Sequence, residues 1–138
     1  DYVPGTLKAV GRNGGRDVAE HVLQTASAPV RLRLTAERAT LPYDWEEVVY
    51  VRAEIVDADG IRYPNSDHRI TLRVDGPGEL AGIDNDDVYS HERYKSDWRT
   101  AYRGQVSGII RATAGTGTIT VTASAEGLEP ASVQVRVQ

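Results

Sequence analysis

The chain has 138 residues, 16 Lys plus Arg against 20 Asp plus Glu, and no Cys, Met or Phe. That length suits one domain, or one domain and a fragment, and falls short of the roughly 250 residues of a complete eight-stranded α/β barrel. Lack of Cys removes disulfides, thiolate metal sites and a Cys nucleophile, and a net charge of -4 with mixed signs lacks the clustered cations that nucleic-acid binding needs. No apolar run approaches the about 18 residues of a membrane helix, so no membrane partner is expected.

In chain order, residues 1–28 come first. Segments 6–11 and 17–24 flank Asn13-Gly14-Gly15 and predict a β-hairpin. The glycines join two strands rather than opening a helix, so they are no phosphate loop. Ala26-Ser27-Ala28-Pro29 then reads as a linker. An isolated hairpin is marginal in water. Its apolar face, taken as Leu7, Ala9, Val18 and Leu23, therefore needs cover. The cover is the main sheet, a second copy of the chain, or a preceding domain of which 1–28 is the tail; the last is preferred. The absent initiator Met fits a processed or cut chain in the same way.

From Pro29 onward the period is two. Val49, Val51, Ala53 and Ile55 alternate with Tyr50, Arg52 and Glu54, and Ile119, Val121 and Ala123 alternate with Thr and Ser. A strand sends successive side chains to opposite faces, so each run has a core face and a wet face, as antiparallel sheets require. Strands are expected near 30–36, 48–57, 69–75, 78–83, 105–113, 117–125 and 131–138. Asp57-Ala58-Asp59-Gly60, Gly76-Pro77-Gly78 and Gly115-Thr116-Gly117 punctuate them as turns. Segment 86–102 holds one helical turn at most. The fold class is all-β: an immunoglobulin-like antiparallel β-sandwich of about seven strands over 29–138, with an extra N-terminal hairpin.

Few constellations suggest chemistry. Glu46 and Glu47, read as neighbours on a strand edge, face opposite ways and do not make the facing pair that glycoside hydrolysis uses; no catalytic residue is assigned. His21, His68 and His91 lack metal-ligand spacing. Asp84-Asn85-Asp86-Asp87 fits ordinary turns, or a calcium site that recruits Asp57 or Asp59; the EF-hand pattern fails, and no metal or other cofactor is expected. The connection 89–102 stands out, with four of the nine aromatics. Tyr89, His91, Tyr94, Trp98, Arg99 and Tyr102 are the candidate residues for carbohydrate or domain contact. Three readings stay open: a loop folded over the sandwich, a contact with a neighbouring domain, or a weak glycan site.

Ordered pieces of the sequence carry a resemblance. They are Pro4-Gly5-Thr6-Leu7-Lys8-Ala9-Val10-Gly11, then Ala53-Glu54-Ile55-Val56-Asp57-Ala58-Asp59-Gly60, then Val74-Asp75-Gly76-Pro77-Gly78-Glu79-Leu80-Ala81-Gly82-Ile83-Asp84-Asn85. Further on stand Ser90-His91-Glu92, Tyr94-Lys95, Arg99, Ala101, Gly104 and the run Gly117-Thr118-Ile119-Thr120-Val121-Thr122-Ala123. Together they resemble the C-terminal immunoglobulin-like domain of bacterial β-galactosidase-like enzymes of glycoside hydrolase family 2, preceded by the last hairpin of the domain before it. The resemblance implies a non-catalytic accessory domain, because that family keeps its two catalytic Glu residues in a separate barrel. It also implies a periplasmic or secreted parent hydrolysing O-glycosidic bonds, with the parent's other domains as partners. Two other functions are held beside it: a carbohydrate-binding module using the 89–102 aromatics, and a spacer repeat of a bacterial surface adhesin. A homo-oligomer through the hairpin is a further expectation.

Overall fold

The computed structural model describes residues 3–138. Eleven strands follow in order: β1 (Thr6–Asn13), β2 (Arg16–Gln24), β3 (Arg31–Ala36), β4 (Thr40–Leu41), β5 (Val49–Val56), β6 (Arg69–Asp75), β7 (Gly78–Asp84), β8 (Trp98–Thr100), β9 (Gln105–Ala112), β10 (Gly117–Ser124) and β11 (Ala131–Val137). The first two form their own antiparallel ribbon. The others make two facing sheets, ordered β4-β11-β10-β6-β8 and β3-β5-β9-β7. This is the immunoglobulin-like sandwich that the alternation predicts.

The core follows from the period of two. On β5, Val49, Val51, Ala53 and Ile55 are fully buried, and Tyr50, Arg52 and Glu54 point to the other face. Facing them from the second sheet are Ile70 and Leu72 of β6, Ile119, Val121 and Ala123 of β10, and Val135 and Val137 of β11. Truncating a buried Ile or Leu to Ala at such positions costs about 2–5 kcal/mol. Gly108 lets the sheets close, since a Cβ there would lie 2.6 Å from Leu72 Cδ1.

Four expectations need correction. The sandwich has nine strands, because β4 and β8, with two and three residues, are too short to show alternation. Its pairing is not wholly antiparallel: β4 runs parallel to β11. Glu46 and Glu47 sit in the turn before β5 rather than on a strand edge. There the Asp44 carboxylate accepts the Glu46 N–H at 3.1 Å, and Arg38 holds the Glu47 carboxylate at 2.5 Å. The hairpin's apolar residues, finally, do not share one face.

Hairpin register explains that last point. Leu7 pairs with Leu23 and Ala9 with His21, whereas Val10 pairs with Glu20 and Lys8 with Val22. Alternation along β2 places Val18 with Glu20 and Val22, on the face where Lys8 Nζ meets Glu20 at 2.7 Å. Leu7, Ala9, Ala19, His21 and Leu23 form the other, uncharged face. All side chains of both strands are exposed. Gly14 and Gly15 have φ of 57° and 77°, the two consecutive left-handed residues that a tight hairpin turn requires. The base of the ribbon and residues 62–65 enclose a hollow of about 500 Å³.

Candidate contact site on the connection between the sheets

Segment 85–97 leaves β7, an edge of the four-stranded sheet, and enters β8, an edge of the five-stranded one. It therefore crosses from sheet to sheet along one open side of the sandwich. Its first part is a chain of side-chain-capped turns. The Asp84 carboxylate accepts the Asn85 N–H at 2.8 Å, the Asn85 amide oxygen accepts the Asp87 N–H at 3.1 Å, and the Asp87 carboxylate accepts the Tyr89 N–H at 3.0 Å. Asx turns of this kind are what such residues favour, and Asp86 takes the left-handed φ of 62°. Asn85 is buried and donates its amide to the Thr100 carbonyl at 2.9 Å. Farther along, the Tyr94 carbonyl accepts the Ile83 N–H at 2.8 Å and the Asp97 carbonyl accepts the Leu72 N–H at 2.7 Å. The connection thus satisfies donors on the edges of both sheets, positions that would otherwise invite pairing with another strand.

At its centre lies Arg99, only 1% exposed. Its Nη1 donates to the Glu92 carbonyl at 3.0 Å, its Nη2 faces Asp84 Oδ1 at 3.4 Å, and its Nε lies 3.7 Å from Glu92 Oε2 without a hydrogen bond. The guanidinium sits 4.9 Å from the centre of the Tyr94 ring, within cation–π range. Glu92 in turn accepts the Thr100 N–H at 3.0 Å and its hydroxyl at 2.5 Å. One cation and two carboxylates therefore tie loop, β7 and β8 together, since a buried charge needs partners.

The six candidate residues separate on this scaffold. Arg99 and Tyr94 meet. Trp98 is half-buried, with the Arg69 guanidinium 3.8 Å from its ring centre. Tyr102 lies past β8 beside Arg103 at 5.3 Å. Tyr89 and His91 point to solvent. They do not line a single cleft. The carboxylates that hold Arg99, Asp84 and Glu92, are residues that sequence reasoning did not single out for that part. Its signal was parity: Arg99 falls on the same side of the strand as Ala101, which is buried.

The turn acids serve local structure. Asp57 is 2% exposed and accepts four bonds, from the Ser27 N–H at 2.8 Å and hydroxyl at 3.2 Å and from the N–H groups of Asp59 at 3.0 Å and Ile61 at 2.8 Å. The Ser27 N–H is the chief reason its carboxyl titrates below the ordinary carboxylate value, burial acting against it. His68 shares a 2.6 Å hydrogen bond with Ser66. Among the described residues, no three His, Cys, Asp or Glu side chains converge to hold a metal ion.

Comparison with known proteins places this architecture. Residues 32–134 match the family described as glycoside hydrolase family 2 C-terminal domain 5. The β-galactosidase BoGH2A of Bacteroides ovatus is 34% identical over 137 residues, which are 99% of this chain and 16% of that enzyme. Among solved structures, a glycosyl hydrolase family 2 member from Bacteroides cellulosilyticus superposes with a TM-score of 0.90 at 29% identity, covering 99% of this chain and 18% of that one. A β-glycosidase from Bacteroides vulgatus gives 0.92 at 26% identity, with the same coverage. The chain thus spans less than a fifth of the length of these relatives, and hairpin and sandwich both lie inside the matched region. With its sandwich matched almost from end to end, the chain belongs to the family of C-terminal domains, number 5, of glycoside hydrolase family 2.

Proposed function

We propose that the chain is a non-catalytic accessory domain of a β-galactosidase-like enzyme, placed after the parts that hydrolyse O-glycosidic bonds in β-linked sugars. The observation that carries this reading is the coverage: relatives match this chain over 99% of its length, yet it accounts for only 16–18% of theirs. Its side chains agree. Inverting and retaining glycosidases need two carboxyl groups about 5–9.5 Å apart across a sugar, whereas Glu92, Glu47, Glu54 and Glu79 are each engaged by an arginine. The domain's work is architectural: a rigid sandwich that positions its neighbours.

Within this reading, residues 1–28 are the tail of the preceding domain and residues 29–138 the sandwich proper. Support comes from the family match, which starts only at residue 32, and from a ribbon exposed on both faces. The uncharged face of Leu7, Ala9 and Leu23 fits a neighbour of the same polypeptide. The parent is proposed to act in the periplasm or outside the cell. A direct test assays the purified chain on an aryl β-galactoside, with no turnover above buffer expected; hydrolysis by the chain alone would overturn the reading. Chain shortened to 29–138 should melt within a few degrees of the full chain, and its failure to fold would overturn the domain boundary.

A further inference from the structure

Three exposed rings of the sandwich lie away from the aromatic-rich connection, on segment 43–50. Trp45 is 80% exposed, Tyr43 57% and Tyr50 50%. The turn that carries the first two is well held. Tyr43 N–H donates to the Gln138 carbonyl at 3.1 Å and Glu47 N–H to the Asp44 carbonyl at 3.2 Å. The Tyr43 ring packs over Gly115, where a Cβ would come within 3.3 Å of it. Tyr43, Asp44 and Trp45 border a hollow of about 370 Å³, whose other wall is Arg111 and Ala112. Arg111 is fixed by its ion pair with Glu79.

The surface continues onto the outer face of the four-stranded sheet. Tyr50 stands opposite Ile109, which alternation puts on the same face as Arg111. Next along β5 comes Arg52, flanked across the strands by Thr35 and Ser107. These residues and Tyr50 border a second hollow, of about 440 Å³. Arg52 is exposed and has no hydrogen-bond or ion-pair partner among the described residues.

We propose that this end of the sheet binds a saccharide chain. Sugar C–H groups are slightly positive and stack on the negative face of an aromatic ring, which Trp45 offers uncovered. Arg52 and the hydroxyls of Thr35 and Ser107 supply donors and acceptors for sugar hydroxyls from three neighbouring, hydrogen-bonded strands. A protein-docking core is depleted in Asp and Glu. Here Asp44, Glu46 and Glu37 are interspersed with the rings, which favours a wet, hydroxyl-rich ligand. The contrast with Trp98 is physical, since Arg69 already stacks on that ring.

The test runs the purified chain through native gels cast with soluble galactan, xyloglucan, arabinoxylan or polygalacturonate. At least one should retard it. Trp45→Ala should bind that polysaccharide about tenfold more weakly or not at all, and Arg52→Ala several-fold more weakly, both with unchanged circular dichroism because the side chains are exposed. In Trp98→Phe, which leaves Trp45 as the single tryptophan, retardation should persist and fluorescence should shift as the polysaccharide is added. Absence of retardation in all four gels, or equal retardation of Trp45→Ala, overturns the proposal. Either result leaves the accessory-domain reading standing, and turnover of an aryl galactoside would sink that reading while leaving this one intact.

Discussion

Replacing Arg99 with Ala tests the reading of the connection as a tied-down closure. Three losses add. The charge-assisted bond from Nη1 to the Glu92 carbonyl goes, worth about 1.5–3 kcal/mol. The stacking on Tyr94 goes, at about 0.5–1 kcal/mol for a partly exposed ring. A buried space opens where the guanidinium stood. Against this, Asp84 and Glu92 keep 32% and 24% of their side chains exposed, so water can solvate them once the cation is gone. The net expectation is about 2–4 kcal/mol, or a melting temperature lower by about 8–16 °C for a sandwich of this size. Arg99→Lys should recover only part of it, because one ammonium cannot reach the Glu92 carbonyl and both carboxylates together. Calorimetry on the three proteins reads the values directly. A fall of less than about 2 °C in Arg99→Ala would refute the idea that this buried cation holds the connection in place.

Asp57→Asn should free the linker from the sandwich, since one carboxylate oxygen takes both Ser27 donors and the other takes the Asp59 and Ile61 N–H groups, and an amide that keeps its oxygen in the turn sets its NH2 group against the Ser27 N–H; hydrogen exchange at the Ser27 amide should quicken. The sign of the acid response follows from a carboxyl titrating below its usual value when folded. Its stabilisation is complete above the unfolded carboxylate pKa of about 3.9 and disappears as pH falls through the lower folded value. Melting curves from pH 6 down to pH 2 should therefore show a shallower acid decline in Asp57→Asn, and parallel curves would contradict it. Gly104→Ala should destabilise by about 3 kcal/mol or more, because φ is +74° and a Cβ would lie 2.1 Å from the Tyr63 carbonyl oxygen; urea midpoints measure it.

Seven of the nine sandwich strands are legible in the sequence, because runs such as 49–55 alternate strictly. What escaped was whatever two or three residues must declare by themselves. Thr40–Leu41 cannot display a period, and its parallel partner lies nearly a hundred residues away in sequence. The hairpin's faces were misread for another reason: pairing shifts between Gly11 and Arg12, and apolar residues stand on both sides of the ribbon. At the candidate connection, the density of rings was visible but their availability was not. Whether Arg69 would cover Trp98 depends on the pairing of β6 with β8, a long-range contact. Arg99 was noticed for its charge and company, yet its burial follows from its place beside Ile70 in that ladder. Nothing in the sequence sets Trp45 apart, because a single ring outside any alternating run has no pattern that declares its exposure.

Ser27 meets the body of the sandwich through a single carboxylate that also shapes its own turn. The stretch between ribbon and sandwich is thereby riveted to a load-sharing point rather than left as free string. Twisting the ribbon would have to strip two hydrogen bonds from that carboxylate before it could swivel, so the stiffness of this joint leans on the ionised form of one side chain.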